Sequence, residues 1–171
     1  FRTFKNPLNL FKIFAINFSY FPLHVYLIPS VITDKAGKWN ENLTVNDDGE
    51  FFSRVILNCL KIKFCNNTFA IYRKGAGNRI TTQIMEDKGV QSYIDSWKLI
   101  NSNISKKTGV NNHIYVRAAK TNMYNRLLSD NPTLLTKYSS FFNDRWTNPN
   151  YFIALLINKM RNKLIVSVKA F

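Results

Sequence analysis

The chain has 171 residues, 46% of them hydrophobic and 15% aromatic, which is long enough for one domain with a real core and too apolar for a disordered chain. Its formal net charge of +14 is lopsided: residues 1–50 carry five basic and five acidic side chains, residues 51–171 the other 19 and 5. Such an excess suits an anionic partner, whether a lipid surface, nucleic acid or a phosphorylated ligand, without choosing among them.

Taken in chain order, FRTFKNPLNLFKIF shows no initiator Met and no signal-peptide layout. Asn6-Pro7 is a helix-start signal, and Leu10, Phe11, Phe14 and Ile16 follow as the apolar residues of a first helix. The run FKIFAINFSYFPLHVYLIPSVI has the length of a membrane span. Lys12, Asn17, Pro22 and His24 interrupt it, and polar groups are costly in lipid, so a helix and then a buried strand are predicted. PLHVYLIP, closed by Pro29, is that strand. SVITDKAG predicts a two-turn helix capped by Ser30 and stopped by Gly37.

An acid-rich loop follows, and then Phe51, Phe52, Val55, Ile56 and Cys59 recur at helical spacing between Gly49 and Leu60. KIKFC and TFAIYR alternate like paired strands joined through Asn66-Asn67. Beyond the polar loop KGAGNRITTQ, residues 88–171 read mostly as helices, near 89–106, 113–128, 132–140 and 150–165. The last of these interleaves apolar clusters with Lys159, Arg161, Lys163 and Lys169. Cys59 and Cys65, with only His24 and His113 elsewhere, are too few and wrongly spaced for zinc. They read as two buried free thiols of a reduced cytosolic protein. The Asn-x-Ser/Thr matches at Asn17, Asn42, Asn66 and Asn103 follow from the abundance of asparagine and are no sign of secretion.

The segment WNENLTVNDDGEFFSRVI concentrates Glu41, Asp47, Asp48 and Glu50 in a basic chain. A calcium loop with Gly49 in sixth place would put Thr44 and Val55 where carboxylates are needed, so it fails. Asp47 and Asp48 precede a helix whose first amides favour ionised carboxylates. A carboxylate fixed there is suited to general-base work on an alcohol. The plainer alternative is that one of them merely caps the helix.

KAGKWNENLTVNDDGEFFSRVIL resembles the family 2 glycosyltransferase segment in which a Trp-containing loop leads into an acidic pair and a helix. The family's pattern of two acids, a third acid, an apolar residue and a later Arg falls on Asp47, Asp48, Glu50, Phe51 and Arg54. VYLIPSVITDKAG before it and KIKFCNNTFAIYRKG after it are similar to the flanking strand, short helix and paired strands, so the resemblance covers roughly residues 7–80. It implies an α/β fold: a partial nucleotide-sugar transferase (GT-A type) sandwich over residues 1–80, with an appended, mostly helical basic tail over 81–171. It implies inverting transfer of a sugar from a nucleotide-diphosphate sugar to a hydroxyl of a glycan or lipid-linked acceptor, with Asp48 as catalytic base. Asp47, Glu50 and Trp39 would shape the acceptor side, and Arg73 and Lys74 would meet the departing diphosphate or form a solvated basic turn. The enzyme would work in the cytoplasm, its basic tail near the inner face of the membrane, where each Lys or Arg contributes about 1 kcal/mol against anionic lipid.

Two departures qualify the match. The family's Asp-x-Asp motif, which holds Mg²⁺ or Mn²⁺ beneath the diphosphate, occurs nowhere in this chain. The chain is therefore expected to be the C-terminal portion of a longer enzyme, with the metal ligands upstream. The Gln/Arg-x-x-Arg-Trp signature of processive synthases is also absent, since Phe142-Asn143-Asp144 precedes Arg145-Trp146, which favours a single-transfer enzyme. Two other readings stand beside it. One is a non-catalytic basic module on nucleic acid or anionic membrane, with Tyr72, Tyr93, Tyr115 and Tyr124 near basic residues. It has no recognisable nucleic-acid motif and leaves the acids unexplained. The other is an inactive transferase remnant.

Overall fold

The computed structural model describes residues 3–65, 67–71 and 84–147. It is an assembly of helices in the order α1 (Leu8–Asn17), α2 (Ser30–Ala36), α3 (Asp47–Asn58), α4 (Asp87–Thr108), α5 (Ile114–Asp130) and α6 (Pro132–Lys137). Short 3-10 turns lie at Leu23–Val25 and Ser139–Phe142.

The core is organised along α4, whose apolar residues serve two clusters. Trp97, Ile100 and Ile104 join Leu10, Phe11 and Phe14 of α1, Ile56 and Leu57 of α3, and Val116 of α5. Nearer its start, Val90 and Ile94 pack with Met123 and Leu127 of α5 and with Phe142. This is the periodicity of a helix buried on a broad stripe. Phe11 stacks on Tyr115 with ring centroids 5.0 Å apart, tying α1 to α5. Helix ends follow local chemistry. Gly37 (φ 81°) and Gly109 (φ 72°) terminate α2 and α4 in the positive-φ region, and the Nδ1 of His113 accepts from the Tyr115 amide at the start of α5.

The helical part of the sequence reading agrees with these elements to within a few residues, except that Ser30 lies inside α2 and makes no side-chain cap. The predicted helix at 150–165 lies outside the described residues. The α/β sandwich is overturned. Among the described residues the β pairing is one antiparallel bridge, Phe4–Ile62, made by reciprocal amide–carbonyl bonds of 2.8 and 2.9 Å. PLHVYLIP is neither a strand nor buried: it contains the turn Leu23–Val25, and Leu27 is fully exposed. Among the described residues KIKFC does not pair with residues 68–71, the rest of TFAIYR lying outside them, and Leu60, Phe69 and Ile71 lie open to solvent. Alternation of apolar residues is a disposition that neighbouring strands must realise, and a lone two-stranded ribbon is marginal in water. The thiols also differ from expectation, since Cys59 is half-buried and Cys65 exposed, although both are free. Among the described residues no helix is long and apolar enough to cross a membrane.

Candidate functional site

The acid-rich stretch is where the short N-terminal helices meet α4. The first turn of α3 contains Asp47, Asp48 and Glu50, so the acid pair lies inside the helix and not before it, where the amides and dipole favour negative charge. Asn46 takes the preceding position with φ 59°, a left-handed conformation that Asn tolerates better than most residues.

The carboxyl groups have separate surroundings. Asp47 accepts from the indole Nε1 of Trp39 at 3.1 Å. Asp48 is half-buried, and its Oδ1 accepts from the Gly49 amide at 2.7 Å. Burial pushes the Asp48 carboxyl above its ordinary value, the Gly49 bond opposes this, and the charge of Asp47 adds to the rise. The Tyr26 phenol is also pushed up, by burial first and then by Asp48.

Aromatic rings flank the pair. Trp39 stacks on Phe51 at 4.7 Å and Tyr26 on Phe52 at 4.2 Å, while Phe51 and Phe52 meet edge to face at 5.4 Å. Both phenylalanines are only partly buried, and each follows one of the paired acids by one helical turn. Trp39 remains 38% exposed, leaving part of the indole to meet a ligand.

Glu50 is placed differently. It is 3% exposed and receives a two-pronged contact from Arg54, Nε to Oε1 at 2.8 Å and Nη2 to Oε2 at 2.9 Å. Arg54 also donates to the carbonyl of Ala36 and, at 2.9 Å, to that of Lys38. One guanidinium thus fixes the turn at Gly37 that delivers Trp39. Glu50 anchors the site through Arg54 and is not placed to touch an acceptor. Arg73 and Lys74 lie outside the described residues.

Two residues that the sequence does not single out, Ser92 and Ser96, hold the loop from α4. Ser92 Oγ accepts from the amides of Thr44 and Val45 at 2.9 and 3.1 Å, and Ser96 Oγ accepts from Asn46 Nδ2 at 2.9 Å. Their signal was a pair of serines four apart on the apolar stripe of a helix. Both are buried among Val90, Ile94, Trp97 and Ile100, where a hydroxyl needs a partner.

Two hollows lie away from the acid pair. One, of about 270 Å³, is walled by Lys35, Arg54, Asn58, Asn103, Lys106 and Lys107 with apolar Ala36 and Leu57; the other, of about 300 Å³, lies near Gln91, Lys98 and Tyr138. Asp48 lines neither. Among the described residues no group of His, Cys, Asp and Glu could hold a metal ion, so the Mg²⁺ or Mn²⁺ that the resemblance implies has no seat there. No protein-family model, curated protein or solved structure matches the chain.

Proposed function

We propose that this chain supplies the acceptor side of an inverting glycosyltransferase, with Asp48 as the base. Asp48 takes the proton of an acceptor hydroxyl as that oxygen bonds to the anomeric carbon. The bond from the anomeric carbon to the nucleotide diphosphate breaks, and the diphosphate leaves with the electron pair. The observation that carries this reading is a half-buried aspartate with an upward-shifted pKa, set among partly open aromatic rings. A carboxylate made more basic by its surroundings is a better proton acceptor. The exposed part of the Trp39 indole, backed by Phe51, suits the apolar side of a sugar ring, and Asp47 keeps the indole in place.

In this reading the donor nucleotide, with any metal beneath its diphosphate, is held by residues beyond those described, and Arg73 and Lys74 are candidates to meet the phosphates. The work is done at the inner face of the membrane, where the basic residues of 81–171 favour a lipid-linked acceptor.

The test uses the native gene product with all the residues its gene encodes, offered nucleotide-diphosphate sugars and glycan acceptors, with released nucleotide diphosphate as the readout. Asp48→Asn should lower transfer by about two to four orders of magnitude with unchanged circular dichroism. Turnover at the wild-type rate in that variant removes Asp48 from the chemistry.

One observation favours a second reading, a non-catalytic module for anionic surfaces. Lys35, Lys106 and Lys107 line one hollow together, and among the described residues none of them is in an ion pair. Salt-sensitive binding to anionic vesicles, insensitive to Asp48→Asn and without any transferase activity, would support that reading over the first.

A further inference from the structure

Direct hydrogen bonds join the acid loop to α4. Asn46 is held at three points. Its carbonyl accepts from the Glu50 amide at 3.0 Å and so begins α3. Its side-chain amide donates to Ser96 Oγ, which is itself fully buried and donates to the Tyr93 carbonyl at 2.7 Å. Its Oδ1 covers Gly49 so closely that a Cβ there would lie 2.1 Å away, well inside any tolerated contact. Asp48 stands between these two residues and is bonded to the amide of the second. Any rotation of the first turn of α3 must therefore displace the Asn46 amide or break its bond to α4.

We infer that Asn46, Gly49 and Ser96 are positioning residues that together fix the direction and solvent exposure of the Asp48 carboxylate. This rests on the proposed role of Asp48, but the coupling itself can be read without any substrate. Each member has a defined part. Asn46 carries the left-handed turn and the amide, Gly49 leaves room for that amide, and Ser96 receives it from a helix some 50 positions along the chain. A bond lost at Ser96 frees the loop end of α3 and lets water reach Asp48. The other titratable groups acting on Asp48 or sensing it are Asp47 in α3, Tyr26 before α2 and Tyr115 in α5, and none of them is substituted in these variants.

The experiment is a carbon-detected NMR titration of the Asp48 carboxyl in the folded full chain, with a thermal melt of each variant. Ser96→Ala should lower the Asp48 pKa toward the ordinary carboxylate value, because desolvation is the main cause of its rise. Gly49→Ala should do the same by expelling the Asn46 amide. Asn46→Gly keeps the left-handed backbone and removes the amide, so adding Gly49→Ala to it should produce no further shift. That non-additivity is the signature of a shared contact. If Gly49→Ala does not fold, Ser96→Ala and Asn46→Gly, which only delete atoms, decide the matter. An unmoved Asp48 pKa in those two variants, with a lowered melting temperature, would make the junction purely structural and overturn the inference. Should Asp48→Asn retain transfer while the pKa coupling holds, the transferase reading falls and the positioning inference stands.

Discussion

Asp48 and Glu50 stand two residues apart in the first turn of α3, and their surroundings could hardly differ more. Glu50 is almost wholly buried and has a full guanidinium partner in Arg54. Asp48 is half-buried, accepts from backbone amides, and lies beside a second negative charge. A buried carboxylate with a bidentate cation has its lone pairs occupied and its geometry fixed, which suits bracing. A carboxylate partly withdrawn from water without a cation keeps a raised affinity for protons, which suits chemistry. Within one helical turn, the chain separates an acid tied to a guanidinium from an acid with a raised affinity for protons.

The largest effect expected from breaking this contrast is at the brace. Glu50→Gln should leave the Arg54 charge poorly compensated, with only 18% of its side chain exposed, and loosen the turn at Gly37. A loss of about 3 kcal/mol is expected by urea denaturation, the lower end for a broken buried pair; a loss below about 1 kcal/mol would place Glu50 with ordinary surface acids. Asp48→Asn should act in the opposite direction and raise the melting temperature by a few degrees at neutral pH. The folded-state pKa of Asp48 is raised, so its protonated form is favoured by folding. The stabilising effect of that proton is complete below the unfolded carboxylate pKa and is lost as pH rises through the higher folded value. The advantage of the Asn variant should therefore shrink on acidification, and a constant advantage across pH 3 to 7, roughly the range that spans carboxylate titration, would contradict the assigned cause. The smallest effect is at Asp47. Trp39→Phe removes the indole donor and retains a ring against Phe51, costing about 0.5–1 kcal/mol for a partly exposed hydrogen bond. A cost several times larger would show that Trp39 is part of the core.

The same helix shows what the sequence could reveal. Apolar residues recurring through Val55 and Ile56 locate α3, because helical periodicity is a local property that the chain satisfies within itself; its start falls two residues before Gly49, so that Asp47 and Asp48 belong to the first turn instead of preceding it. The Glu50–Arg54 spacing of four is equally visible, but the family pattern assigns both residues without indicating that they pair. The strands failed for the opposite reason. Val25, Leu27, Phe69 and Ile71 carry the right residue types, but a strand exists only against a partner, and among the described residues they have none. Ser92 and Ser96 lay beyond reach in a third way, since their partners Thr44, Val45 and Asn46 are nearly fifty positions distant. No local pattern encodes that register.

That separation has a consequence for biosynthesis. On the ribosome, Asn46 and the acid pair emerge well before Ser96, the residue 50 positions later that receives the Asn46 amide. At about 5–20 residues per second, the delay is roughly 3 to 10 seconds. For that interval the nascent chain presents Asp47 and Asp48 without the contact that fixes their loop, and the site takes its final form only once α4 has been made.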